Sequence, residues 1–139
     1  MALVSLGRAI SAYSEIEAFT GRPSIAGILS WGHEGGFMDR KVALRQILEQ
    51  NPADPLARYG LAMEHVKEQD YQAAVAEFEK LLAVSPGYLY AYFHAGQALE
   101  KLGRLDEARN MYERGIQVAS AAGDHHARSE LAAALEQIG

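Results

Sequence analysis

The sequence contains no cysteine and no long hydrophobic run. Without cysteine the chain cannot form disulfides, zinc–thiolate sites or iron–sulfur clusters, and it has no cysteine nucleophile. No apolar stretch approaches the ~20 residues that span a bilayer, and the N-terminus lacks the basic start and long apolar core of a secretory signal. Glu15 and Glu17 argue against a transit peptide, because such segments are poor in acidic residues. We therefore predict a cytoplasmic protein that does not enter a membrane.

Positive charge is also scarce. The 13 Lys and Arg residues face 18 Asp and Glu residues, which gives a net charge of -5. Nucleic-acid binding depends on clustered positive charge against phosphates, so an acidic chain is a poor candidate for it. With 139 residues, 49% of them hydrophobic, the chain is long enough for one globular domain that buries its own core.

What the chain does contain is an internal repeat. When the sequence is shifted by 34 residues, small and aromatic residues fall on residues of their own kind. Small residues at such positions allow two helices to approach closely. The clearest matches are Ala62 with Gly96, Ala74 with Ala108, and Phe78 with Tyr112, and the match weakens where Pro86 falls on Ser120.

This pattern resembles the tetratricopeptide repeat, a 34-residue helix–turn–helix unit with small residues, an aromatic residue and a closing proline at these offsets. The tryptophan-like first position holds Arg58 in one copy and Tyr92 in the other, so the match is imperfect there. The resemblance covers residues 38–139 and extends to the small tetratricopeptide proteins common in bacteria. It implies an all-α fold, an α–α superhelix of helix–turn–helix repeats with a C-terminal capping helix, and it implies no catalytic domain and no cofactor.

Local signals predict where the first helix of each repeat begins. Asp54 before Pro55 predicts an N-cap followed by proline at the first helical position, and Ser85 before Pro86 predicts the same arrangement in the second copy. Apolar residues then recur at three- and four-residue steps, as on one face of a helix. In the first copy these are Leu56, Tyr59, Met63 and Val66.

Turn residues and flanking segments complete the predicted plan of six helices in residues 39–138. Asp70 is expected to cap a helix from about Tyr71 to Val84, and Gly103 is expected to supply a left-handed turn in the second copy. A solenoid also needs capping elements at its ends. The predicted division is a half-repeat at 39–52, repeats at 54–87 and 88–121, and a capping helix at 124–138 with Asp124 as its N-cap.

The first 37 residues depart from the repeat. Residues 2–19 predict one helix, and residues 21–36 contain five glycines, a composition typical of a linker. A second hypothesis places the natural start at Met38, because the codons of Glu34, Gly35 and Gly36 are purine-rich where a bacterial ribosome-binding site would lie. Residues 1–37 would then be an artefact of the gene model. The intact mass of protein expressed from its own locus decides between the two.

Histidines are the main candidates for chemistry. Adjacent His125 and His126 would point ~100° apart on a helix, so they rarely share a metal ion. His33 lacks the second histidine of a zinc hydrolase motif, and His94 has no serine or aspartate at triad-like spacing. We therefore predict no enzyme, no metal site and no cofactor. The alternative is an enzyme that uses His94, His125 or His126, which metal analysis of untagged protein would test.

The resemblance implies a binding site instead. In tetratricopeptide proteins the first helices of successive repeats line a concave groove that holds partner peptides, and aromatic and methionine side chains suit such contacts. The chain is therefore expected to be a non-catalytic adaptor for a protein or peptide partner. The groove positions expected from the offset match are Leu56, Tyr59, Met63, Val66, Lys67, Tyr90, Phe93, His94, Gln97, Lys101, Arg128 and Leu131.

Two further predictions concern the occupant of this groove. Co-chaperone members of the family grip a C-terminal carboxylate with lysines and asparagines, but only Arg128 offers comparable charge here, so we predict no binding to chaperone tails. The alternative to an external partner is self-association, in which residues 1–37 fill the groove of the same chain or of a neighbour in a swapped homodimer. Each candidate residue could also simply pack between helices.

Overall fold

The structure is a computed structural model, and it describes residues 39–139. All regular structure in this part of the chain is α-helical. The helices are α1 (Arg40–Gln50), α2 (Pro55–Lys67), α3 (Tyr71–Val84), α4 (Leu89–Lys101), α5 (Leu105–Ala122) and α6 (His125–Ile138). The predicted all-α class and the count of six helices in this region are confirmed.

The predictions for the N-terminal segment concern residues outside the described part of the chain. These are the helix at 2–19, the glycine-rich linker and the natural start at Met38. From Asp39 onwards, no helix is both long and apolar enough to cross a membrane.

The helices fall into two compact units, one that ends at Ala57 and one from Arg58 to Gly139. In the first unit, α1 follows Asp39, whose carboxylate accepts a hydrogen bond from the Lys41 N–H at 3.0 Å. The start of α2 agrees with the sequence prediction, because Asp54 Oδ1 accepts from the Ala57 N–H at 3.1 Å.

Capping carboxylates and a left-handed residue set the turns of the second unit. Asp70 Oδ1 accepts from the Ala73 N–H at 3.3 Å at the start of α3, and Asp124 Oδ1 accepts from the Ala127 N–H at 2.9 Å at the start of α6. Gly103 has a φ of 75° between α4 and α5, a conformation that costs glycine little. Both predicted caps and the predicted glycine turn are confirmed.

The turn between α2 and α3 contains a left-handed residue that the sequence reasoning missed. Gln69 has a φ of 62° and lies 34 residues before Gly103. The two repeats therefore share a left-handed backbone conformation at this position, although only the second has glycine there. A non-glycine residue in this conformation costs about 1 kcal/mol, which the surrounding repeat must offset.

The start of α4 contradicts the prediction of an N-cap at Ser85 with Pro86 at the first helical position. Ser85 is the residue that ends α3, and α4 begins only at Leu89. The Tyr92 hydroxyl donates to the Pro86 carbonyl oxygen at 2.6 Å, so the connecting loop is fastened to the second turn of α4. Ser85 is thus the C-cap of α3, and Pro86 lies in the loop that this hydrogen bond joins to α4.

The core of the second unit explains the small residues of the repeat. α4 packs against α3 and α5, and α5 packs against α6. Phe78 and Tyr112, which the repeat aligns, are both fully buried. A Cβ atom placed on Gly96 would lie 2.3 Å from Cε1 of Tyr112, and one on Gly115 would lie 2.8 Å from Cβ of Tyr92. Only glycine allows the helices to come this close.

Candidate binding groove

The candidate site lies on the first helices of the repeats, α2, α4 and α6. A concavity of about 460 Å³, the α2–α4 channel, is lined by Val66, Tyr71, His94, Gln97, Ala98, Glu100 and Lys101. A second concavity of about 250 Å³, the α4–α6 channel, is lined by Phe93, Gln97, Glu100 and Tyr112 and, from α6, by Glu130, Ala133, Ala134 and Gln137. The channels share Gln97 and Glu100, so they form one surface that crosses α4.

Several of the predicted groove residues lie on this surface. Val66, His94, Gln97 and Lys101 line the α2–α4 channel, and Phe93 lines the α4–α6 channel with Gln97.

The other predicted positions on α2 and α4 do not line either channel. Tyr59 and Met63 are half-buried and pack against the core, whereas Lys67 is exposed. Tyr90, at the start of α4, is 55% exposed and lines a shallower concavity with Ala127. Leu56 belongs to the first unit.

The two positions predicted on α6 need correction. Leu131 is 2% exposed, and its methyl carbons would lie 3.0 and 3.1 Å from a Cβ placed on Gly115, so it is a core residue that no partner can reach. Arg128 is exposed, but it precedes Glu130 by two residues. At ~100° per residue it points to the face of α6 opposite the α4–α6 channel.

The groove residues on α6 that sequence reasoning missed are spaced three and four apart. Glu130, Ala133, Ala134 and Gln137 repeat with the period of one helix face. On α4, the same spacing leads from Phe93 to Gln97 and from Gln97 to Glu100, so it would have predicted that Glu100 lines the channel. The signal is present in the spacing, but the 34-residue offset places Leu131 on the groove face, and Leu131 packs inward.

A row of aromatic rings supports the floor of the groove. The ring centroid of Tyr59 lies 5.2 Å from that of Tyr88 and 6.0 Å from that of His94. The row continues from His94 to Phe93 at 5.5 Å and from Phe93 to Tyr112 at 6.3 Å. Tilted and edge-on ring pairs contribute about 0.5–1.5 kcal/mol beyond their buried area. We call these five residues the aromatic row; it connects α2, α4 and α5.

Burial shifts the pKa of three members of the row towards their uncharged forms. Burial, with the nearby Tyr88 and Tyr90, raises the pKa of Tyr59 to about 12. Burial also raises the pKa of Tyr112, and its hydroxyl donates to Glu100 Oε2 at 2.5 Å. The pKa of His94 is lowered, because burial outweighs the hydrogen bond to Gln97. The carboxylates of the lining are Glu100, which both channels share, and Glu130 in the α4–α6 channel.

The histidine pair on α6 has a carboxylate beside it. His126 Nε2 lies 3.2 Å from Glu130 Oε1, and both side chains are largely exposed. Between Asp39 and Gly139, no three potential ligands among His, Asp and Glu come together.

Comparison with known proteins gives the family. The family model described as tetratricopeptide repeat matches residues 59–125. A crystal structure of a tetratricopeptide repeat domain protein from Salinibacter ruber is 40% identical, covers 61% of this chain and 94% of its own, and superposes with a TM-score of 0.57.

Two further relatives agree. A repeat-containing protein of Pseudomonas aeruginosa is 25% identical over 68% of this chain and 90% of its own. A solution structure of a Bordetella parapertussis protein is 24% identical over 73% of this chain and 89% of its own, with a TM-score of 0.65, which supports the fold alone. The repeat spacing, the helix pairs with their small-residue contacts, and these matches lead to one conclusion: the chain belongs to the tetratricopeptide repeat family.

Proposed function

We propose that the chain is a non-catalytic adaptor that binds a segment of another protein along the two channels beside α4. Tetratricopeptide repeats generally mediate protein–protein interaction. The observation that carries the proposal is the continuity of the channels, because Gln97 and Glu100 line both of them. A partner segment laid across α4 would therefore contact α2, α4 and α6 together.

The aromatic row favours binding in this place. Its half-buried members Tyr59, Phe93 and His94 pack against one another, so they lose little further side-chain freedom when a partner arrives. Rigid aromatic side chains near the centre of an interface supply a large share of binding energy. Tyr90, which is 55% exposed, adds an accessible ring in the neighbouring concavity beside Ala127.

A matched pair of variants tests the proposal. Gln97→Lys places a charged side chain where both channels meet, whereas Gln117→Lys makes the same change on an exposed position of α5. Wild type and both variants are used to capture partners from a native lysate, and the captured proteins are identified by mass spectrometry. Circular dichroism first establishes that both variants remain helical.

We expect a partner that is retained by wild type and by Gln117→Lys and lost by Gln97→Lys. A partner retained by all three proteins would place binding outside the channels and contradict the proposal.

Self-association is the second candidate. In the sequence, residues 2–19 carry an apolar stripe that suits the apolar members of the channel lining, Val66 and Phe93: Leu3, Leu6, Ile10, Tyr13 and Ile16. Molar mass by light scattering tests the homodimer, for the full chain and for residues 38–139. A full-length dimer that becomes monomeric on truncation would favour the swapped homodimer over an external partner.

A further inference from the structure

We propose that the segment bound in the groove carries an arginine side chain that enters the α4–α6 channel between Glu100 and Glu130. The inference rests on the proposed function, since it names the chemistry of the partner at that same site.

The charge of the channel favours a cation. Glu100 and Glu130 contribute its charged lining, Gln97 and Gln137 contribute amides, and none of the described residues that line it is a lysine or arginine. Lys101 lines the other channel. An acidic segment or a C-terminal carboxylate would meet two like charges here, and such an arrangement selects against those partners.

His126 is the nearby group that competes for Glu130. Its Nε2 lies 3.2 Å from Glu130 Oε1, on the same helix. The His126 side chain is 79% exposed, so an arriving guanidinium can displace it into solvent without burying it. Exposed pairs of this kind contribute little, about 0–1 kcal/mol, so the displacement costs little.

Glu100 is held in position before any partner binds. The Tyr112 hydroxyl donates to Glu100 Oε2 at 2.5 Å, and Tyr112 is fixed in the core by its burial. One donor leaves most of the acceptor capacity of a carboxylate for a ligand. A carboxylate that is already oriented pays less entropy on binding than one on a free side chain.

The shape of the lining favours arginine over lysine. Half-buried Phe93 lines the channel with its ring, whereas the ring of Tyr112 is fully buried, and Ala133 and Ala134 add only small side chains to the lining. A guanidinium is planar, stacks on aromatic rings and donates to carboxylates through several N–H groups, whereas an ammonium is a strongly hydrated point charge. The Phe93 ring and the two carboxylates together therefore fit a guanidinium.

A random 12-residue peptide library, displayed on phage and selected against the full-length chain, tests the inference. We expect the selected peptides to share an arginine beside apolar residues.

For a synthetic selected peptide, Glu130→Gln should weaken binding by roughly threefold to tenfold. The matched control is Glu136→Gln, an exposed change on another face of α6, which should leave affinity unchanged. A peptide with glutamine in place of arginine should bind both variants and wild type equally weakly.

The outcomes separate the inference from the proposed function. Selected peptides that bind in the channels but contain lysine or no cation at that position, or whose affinity ignores Glu130→Gln, would overturn the arginine assignment and leave the adaptor function standing. A library that yields no peptide above the background of an unrelated protein would overturn both.

Discussion

Replacing Gly96 with alanine tests whether the close contact between α4 and α5 is the reason that this position of the repeat holds a small residue. The added Cβ would lie 2.3, 2.6 and 2.8 Å from three ring carbons of Tyr112, all inside van der Waals contact. Tyr112 cannot easily move, because its ring is fully buried and its hydroxyl is bound to Glu100. The substitution must therefore displace the ring or separate the helices.

The expected cost follows from three contributions. Overpacking a core costs about 1–3 kcal/mol, and weakening the hydrogen bond from Tyr112 to the charged Glu100 adds about 1.5 kcal/mol. Alanine in a helix recovers about 1 kcal/mol relative to glycine. The net loss in the free energy of unfolding is about 2 kcal/mol, which lowers the melting temperature of a domain of this size by roughly 10 °C.

Thermal melts followed by circular dichroism measure this effect, with Gly87→Ala as the control. No heavy atom lies within 4 Å of a Cβ placed on Gly87, so that variant should melt close to wild type. In a Tyr112→Leu background, which removes the ring, Gly96→Ala should cost nothing. The reasoning fails if Gly96→Ala melts within about 2 °C of wild type, or if its cost persists without the ring.

Three further predictions concern single residues. Leu131→Ala should lower the free energy of unfolding by about 3 kcal/mol in urea titrations, because it leaves a cavity in the core under α6. If Leu131 were an exposed groove residue, the same substitution would hardly change the free energy of unfolding. Gly103→Ala should cost about 1 kcal/mol in the same titrations, from backbone strain at a φ of 75° and not from contacts, since no atom lies within 4 Å. The pKa of Tyr59 is raised from 10.0 to about 12, so its stabilising contribution is complete below pH 10 and is lost as the pH rises through about 12. Tyr59→Phe should therefore reduce alkaline unfolding in that window, and an unchanged pH profile would contradict the burial argument.

The helices and most of their caps could be predicted from the sequence because they depend on local chemistry. Asp54, Asp70 and Asp124 each cap the helix that follows them, since a carboxylate at that position reaches the free N–H groups of the first turn. Ser85 carried the same local signal and yet ends α3, because the contact between the Tyr92 hydroxyl and the Pro86 carbonyl lies outside any local pattern.

The groove could be predicted in part. On α4, four of the five positions taken from the repeat offset line the channels and Tyr90 does not, and α4 has neighbours on both sides that fix its rotation. On α6, the same offset carries Gln97 to Leu131, which is a core residue, and His94 to Arg128, which lies on another face of the helix than the channel lining. The repeat offset therefore does not fix the rotation of α6, whose channel lining is Glu130, Ala133, Ala134 and Gln137.

The position of α6 has a consequence for how the molecule opens. In a linear array each helix is held mainly by its neighbours, and α6 packs chiefly on α5 and has Leu131 as its one fully buried residue. Within the second unit, α6 should therefore open locally more easily than α4, and its amides should exchange with deuterium faster. Because α6 also forms one wall of the α4–α6 channel, a bound partner would slow that exchange most in α6. Partner binding and the local opening of α6 would then be coupled in a single equilibrium.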